Sequence, residues 1–136
     1  MTADKLEQVQ RMLEGQPLVL AACLHGSTAK GPARPDSDVD IALLPNPGEH
    51  LPLKTRLGFA EELESVLGSP VDLGELSTRN LVYAKEVIEN GKELFTHNRF
   101  QSDLFMATAL SMYAEHQERW NRAFESCPEY KTPISD

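Results

Sequence analysis

At 136 residues, 40% hydrophobic and 25% charged, the chain has the size and composition of one ordinary globular domain, which excludes disordered, collagen-like and low-complexity readings. A net charge of −8 supplies no cationic footprint for neutralising phosphates, so direct nucleic-acid binding is not expected and a basic protein partner fits better. The longest apolar run, Leu18 to Leu24, is too short to cross a bilayer, and the start MTADKLEQVQ is polar rather than a basic leader, so no membrane contact and a cytoplasmic location are expected.

Leu6, Val9 and Leu13 recur at helical spacing until Gly15 and Pro17, which predicts a helix over residues 3–14. Residues 18–24 (LVLAACL) are continuously apolar between breakers, the pattern of a strand buried on both faces, and residues 39–44 (VDIALL) repeat it until Pro45, Pro47 and Gly48. Pro52 suits the first turn of a helix whose Leu53, Leu57, Ala60, Leu63 and Leu67 share one face, with Gly68 and Pro70 closing it and Glu61, Glu62 and Glu64 on its solvated side. A third strand is expected over 71–76, then a helix over about 79–90 with Ser77 as N-cap and Gly91 at its end, then a short strand over 93–96. A long helix follows from about Phe100 to Glu125, with Phe105, Ala109, Met112, His116, Trp120 and Phe124 on one stripe. His116 there reads as a core or interface residue rather than a base. The tail CPEYKTPISD has the composition of a frayed end, giving one domain over 1–126 and a flexible tail over 127–136. Cys23 and Cys127 have neither metal-type spacing nor a disulfide framework and read as plain thiols.

Helices alternating with short apolar strands predict an α/β layer structure. Within it the stretch HGSTAKGPARPDSDVDIALL, residues 25–44, carries the chemistry. Asp38 and Asp40 are two apart, so on an extended strand both carboxylates would face one side with roughly 7 Å between their Cα atoms. Like charges that close raise a carboxylate pKa unless a cation intervenes, and hard oxygen donors suit Mg²⁺. Asp72, an acid inside the apolar PVDLGEL segment, is a third candidate. Gly26 permits close backbone approach, and Ser27 can open a short helix whose free N–H groups and dipole favour phosphate oxygens. Lys30 and Arg34 add positive charge between the two groups. Asp36, in the Pro35-Asp36-Ser37 context, reads as loop. His25 adjoins the site, and its role is left open.

Gly26-Ser27, ten intervening residues and Asp38-Val39-Asp40 resemble the signature of the DNA polymerase β-like nucleotidyltransferase superfamily. The short length and strand-helix order resemble its minimal nucleotidyltransferase (MNT) group, which is paired in prokaryotes with HEPN-domain toxins. The resemblance is densest over residues 18–44, continues through VDLGEL and NGKELF, and weakens after about residue 97. It implies the nucleotidyltransferase fold, a small mixed β-sheet flanked by helices with a long C-terminal helix. It also maps the superfamily's third acid onto Asp72. Many relatives carry arginine after Gly-Ser and again before the next glycine, where this chain has Thr28 and Lys30, so the triphosphate grip is expected to be weaker or shared with Arg34.

The activity so implied is Mg²⁺-dependent AMP transfer from ATP to a tyrosine of a cognate HEPN RNase toxin, which silences it. Asp38 and Asp40 are expected to hold one ion, Asp72 to help hold a second and to favour the ionised acceptor, and Gly26, Ser27, Lys30 and Arg34 to bind the nucleotide. Larger relatives append a helical domain that completes the acceptor site. This chain has one long helix there, so a partner or a second copy of the chain is expected to supply the rest. Two rival readings stand beside this one: a small-molecule, aminoglycoside-like nucleotidyltransferase, and an antitoxin acting by binding alone.

Overall fold

The structure, a computed structural model, describes residues 2–26 and 38–126. Helix α1 (Ala3–Glu14) opens on Thr2, whose side-chain oxygen accepts from the Lys5 N–H at 3.3 Å, and it buries Val9 and Leu13. Strand β1 (Val19–His25) and strand β2 (Val39–Pro45) follow the two apolar runs, then helix α2 (Leu53–Leu67) and strand β3 (Val71–Glu75). Helix α3 (Leu81–Asn90), strand β4 (Lys92–Thr96) and helix α4 (Arg99–Ser126) complete the described chain.

The four strands form one mixed sheet in the order β3-β2-β1-β4, with β1 antiparallel to both β2 and β4, and β2 parallel to β3 across the α2 crossover. Strand alternation divides the side chains between two faces. Val39, Ile41, Leu43, Val71, Leu73 and Phe95 form the larger core with Val9 and Leu13 of α1 and Ala60, Leu63 and Leu67 of α2. The opposite face carries Cys23, Ala42, Leu44 and Leu76, packed against Ala84 and Val87 of α3 and Ala109 of α4. Burial of the Cys23 thiol, with Glu93 adding to it and Arg99 opposing, pushes its pKa up to about 11 and leaves it inert. Cys127 lies outside the described residues. No helix among those described is long and apolar enough to cross a membrane.

Five sequence expectations are corrected. The N-cap of α3 is Asn80, whose Oδ1 accepts from the Tyr83 N–H at 3.3 Å, while Ser77 Oγ accepts from the Arg79 N–H one turn earlier. Leu53 and Leu57 are 60% and 57% exposed, because the buried position at this end is taken by Leu51, just before the helix. Glu64 is not simply solvated: its Oε1 accepts from the Val71 N–H at 3.0 Å and satisfies an outward donor of the edge strand. The stripe on α4 is buried only in its first half, through Ser102 and Ala109, and Met112 and Trp120 are exposed. The reason is length. At 28 residues α4 spans about 42 Å, against about 15 Å for the 10-residue α3 it packs on. His116 is exposed, its Nε2 accepting from Trp120 Nε1–H at 2.6 Å, so it is not a core residue.

Candidate active site

Three strands deliver one row of side chains. His25 at the end of β1 stands opposite Asp40 of β2, and Asp40 stands in register with Asp72 of β3. Residues in register on neighbouring strands project to the same face, so the three groups share the α3/α4 side of the sheet. Asp38 lies one residue before β2 and is exposed, so the same-side argument from strand alternation does not extend to it. Asp72, on the edge strand, is also exposed, and its place beside Asp40 comes from register rather than burial.

Electrostatics follow from that row. Burial pushes the Asp40 carboxyl above the ordinary carboxylate range; the His25 charge opposes this, while Asp72 and Asp38 reinforce it. Gly26 closes the site from the β1 side with φ of +68°, and a Cβ at this position would collide with the Asp40 carboxylate. Glycine is required there twice over, by backbone conformation and by contact.

Tyr83, unnoticed in the sequence, reaches in from α3. Its hydroxyl lies 3.0 Å from His25 Nε2, with the two rings edge to face at 5.4 Å. The tyrosine ring covers Gly74, where any side chain would run into it. Burial, then Asp72 and Asp40, raise its pKa far above the ordinary tyrosine value, with Arg56 opposing, so the phenol keeps its proton. Tyr83 and His25 are 58 residues apart, and no local pattern links them. Ser27, Lys30, Arg34 and the loop acid Asp36 lie outside the described residues.

Among the described residues no three His, Cys, Asp or Glu side chains are gathered tightly enough to hold an ion as they stand. The fit to Mg²⁺ therefore rests on donor chemistry: three carboxylates, one of them made reluctant to ionise by burial and by the other two, a repulsion that a hard cation would relieve.

Comparisons with known proteins agree with this layout. The family described as "Polymerase beta, Nucleotidyltransferase" matches residues 7–100. The Protein adenylyltransferase MntA of Shewanella oneidensis is 30% identical over 109 residues, which span 80% of this chain and 76% of that protein. A chain from a toxin-antitoxin crystal structure with AMP-PNP is 28% identical, with a TM-score of 0.72 over 93% of this chain and 98% of its own. A chain from the complex of a tri-AMPylated Shewanella oneidensis HEPN toxin with MNT antitoxin is 26% identical, with a TM-score of 0.73 and the same coverage.

Proposed function

Because the chain belongs to the polymerase β-type nucleotidyltransferase family, we propose that it is an adenylyltransferase antitoxin that moves AMP from ATP to a tyrosine of a HEPN-domain RNase toxin and so silences it. The observation that carries this reading is the Asp40–Asp72 register, with Gly26 held against the Asp40 carboxylate. The similarity to MntA and to complexes of HEPN toxin with MNT antitoxin supports the acceptor class and ATP as donor.

In this mechanism Asp38, Asp40 and Asp72 would hold two Mg²⁺ ions, which when bound offset charge on the triphosphate and the departing pyrophosphate. Gly26 admits the backbone close to the phosphates, and Ser27, Lys30 and Arg34 bind them. Asp72, exposed at the sheet edge, takes the proton of the incoming hydroxyl. The tyrosine oxygen bonds to the α-phosphorus, the α–β phosphoanhydride bond opens, and pyrophosphate leaves in line. His25 and Tyr83 fix the wall beside Asp40.

The acceptor half of the site is lent by the toxin, with a second copy of this chain as the other source. The catalytic domain covers residues 1–126, the segment 127–136 is a tail, nucleic acid is not bound directly, and the protein works in the cytoplasm. RNase assays of the cognate HEPN protein test the reading. Activity is expected to fall only when wild-type chain, ATP and Mg²⁺ are all present. Full suppression without ATP, equal for Asp38→Asn, Asp40→Asn and Asp72→Asn, would mean neutralisation by binding alone.

A further inference from the structure

A cleft of about 410 Å³ runs from Asp72 along the outer edge of β3, with Arg56 on one side and Arg79, Asn80 and Tyr83 on the other. Arg56 donates from Nε to the Leu51 carbonyl and from Nη1 to the Leu73 carbonyl, both at 2.9 Å, which fixes its guanidinium plane. Arg79 is held by Ser77 Oγ and, at 2.8 Å, by Nδ1 of His50. Among the described residues neither arginine is ion-paired with a carboxylate, in a chain with 21 acidic residues against 13 basic ones. The cleft's inner acid, Glu75, accepts from the Leu51 N–H at 3.3 Å, and the His50 Nδ1 that Arg79 faces lies 3.5 Å from its carboxylate. Two cations held by neutral acceptors beside Asp72 retain their charge for an incoming anion.

A tyrosine hydroxyl as first acceptor is neutral and has no need of them. An acceptor that already carries AMP brings a phosphodiester within one nucleotide's length of the ribose hydroxyl that reacts next. That chemistry calls for cations beyond Asp72 on the acceptor side.

We propose that this cleft is an extension subsite, in which Arg56 and Arg79 hold the phosphodiester of an AMP unit already on the partner so that its ribose hydroxyl faces Asp72. The inference rests on the transfer activity given above, and it concerns the second and later additions. In each, the ribose oxygen bonds to the α-phosphorus of a new ATP, the α–β phosphoanhydride bond breaks, the hydroxyl proton passes to Asp72, and pyrophosphate departs.

The test is the intact-mass ladder of the cognate HEPN partner after incubation with ATP, Mg²⁺ and the full chain, as wild type, Arg79→Glu, Arg79→Ala or Arg56→Ala. The ratio of partner bearing two or more AMP units to partner bearing one is expected to fall about tenfold or more in Arg79→Glu and Arg56→Ala, and less in Arg79→Ala. Should Arg56→Ala melt early, Arg79→Glu decides, because Arg79 is exposed. Compared at equal consumption of unmodified partner, an unchanged ratio overturns the proposal, including the case where all additions slow together, which would assign the arginines to the donor ATP. A wild type that stops at one AMP overturns the extension subsite and leaves the transfer function standing, whereas no addition at all removes both.

Discussion

Asp40 is the residue at which charge, burial and backbone meet. A carboxyl whose folded pKa is raised binds its proton more tightly in the folded chain than in the unfolded one. Its contribution to stability is therefore complete below the ordinary value of 3.8 and is lost as pH rises through the higher folded value. Asp40→Asn is expected to flatten that loss and, by removing a like-charge pair across β2 and β3, to add up to about 1 kcal/mol at neutral pH while abolishing transfer. Urea melts on both sides of that window check it, and a mutant less stable than wild type at neutral pH would make Asp40 structural. The local half of this site was legible in the sequence, since Gly26 and the two acids at 38 and 40 lie within one short segment whose spacing is visible directly. Asp72 was legible as an acid in an apolar strand, though its exposure shows that register, and not burial, gives it its place. Tyr83 was not legible, because its contact with His25 depends on where α3 docks on the sheet.

At the scale of elements, hydrophobic period and punctuation located every described helix and strand, and the errors lie where neighbours decide. Glu61, Glu62 and Glu64 look alike along α2, yet only Glu64 reaches the edge of β3 and accepts from the Val71 N–H. Glu64→Ala is accordingly expected to cost about 1 kcal/mol, against less than about 0.5 kcal/mol for Glu61→Ala at an exposed position. Equal midpoints in denaturant melts of the two variants would remove the edge-capping role. The N-cap of α3 went to Asn80 rather than Ser77 because the intervening residues form a turn, with Ser77 Oγ accepting from the Arg79 N–H. Helical periodicity reported an apolar stripe on α4 correctly, but it carries no information on how far the packing surface beneath extends, and Trp120 and Met112 on that stripe are exposed.

At the scale of the molecule, alternation of helices and strands announced an α/β fold and the family resemblance a small mixed sheet, while the order β3-β2-β1-β4 depends on pairings between distant segments that no local pattern announces. That order is what matters for chemistry. It seats β2 between β1 and β3, so that one sheet face receives the glycine turn, Asp40 and Asp72 from three separate segments. The same face is only partly roofed by α3 and α4, which fits a site whose acceptor half arrives on another protein. The measurement that bears most directly on this account is the intact mass of the cognate HEPN partner after incubation with ATP, Mg²⁺ and either wild-type chain or Asp72→Asn. The account predicts added mass in whole AMP units with wild type and none with Asp72→Asn, although both chains still co-elute with the partner. An unmodified partner with wild type, or equal modification by Asp72→Asn, would contradict it.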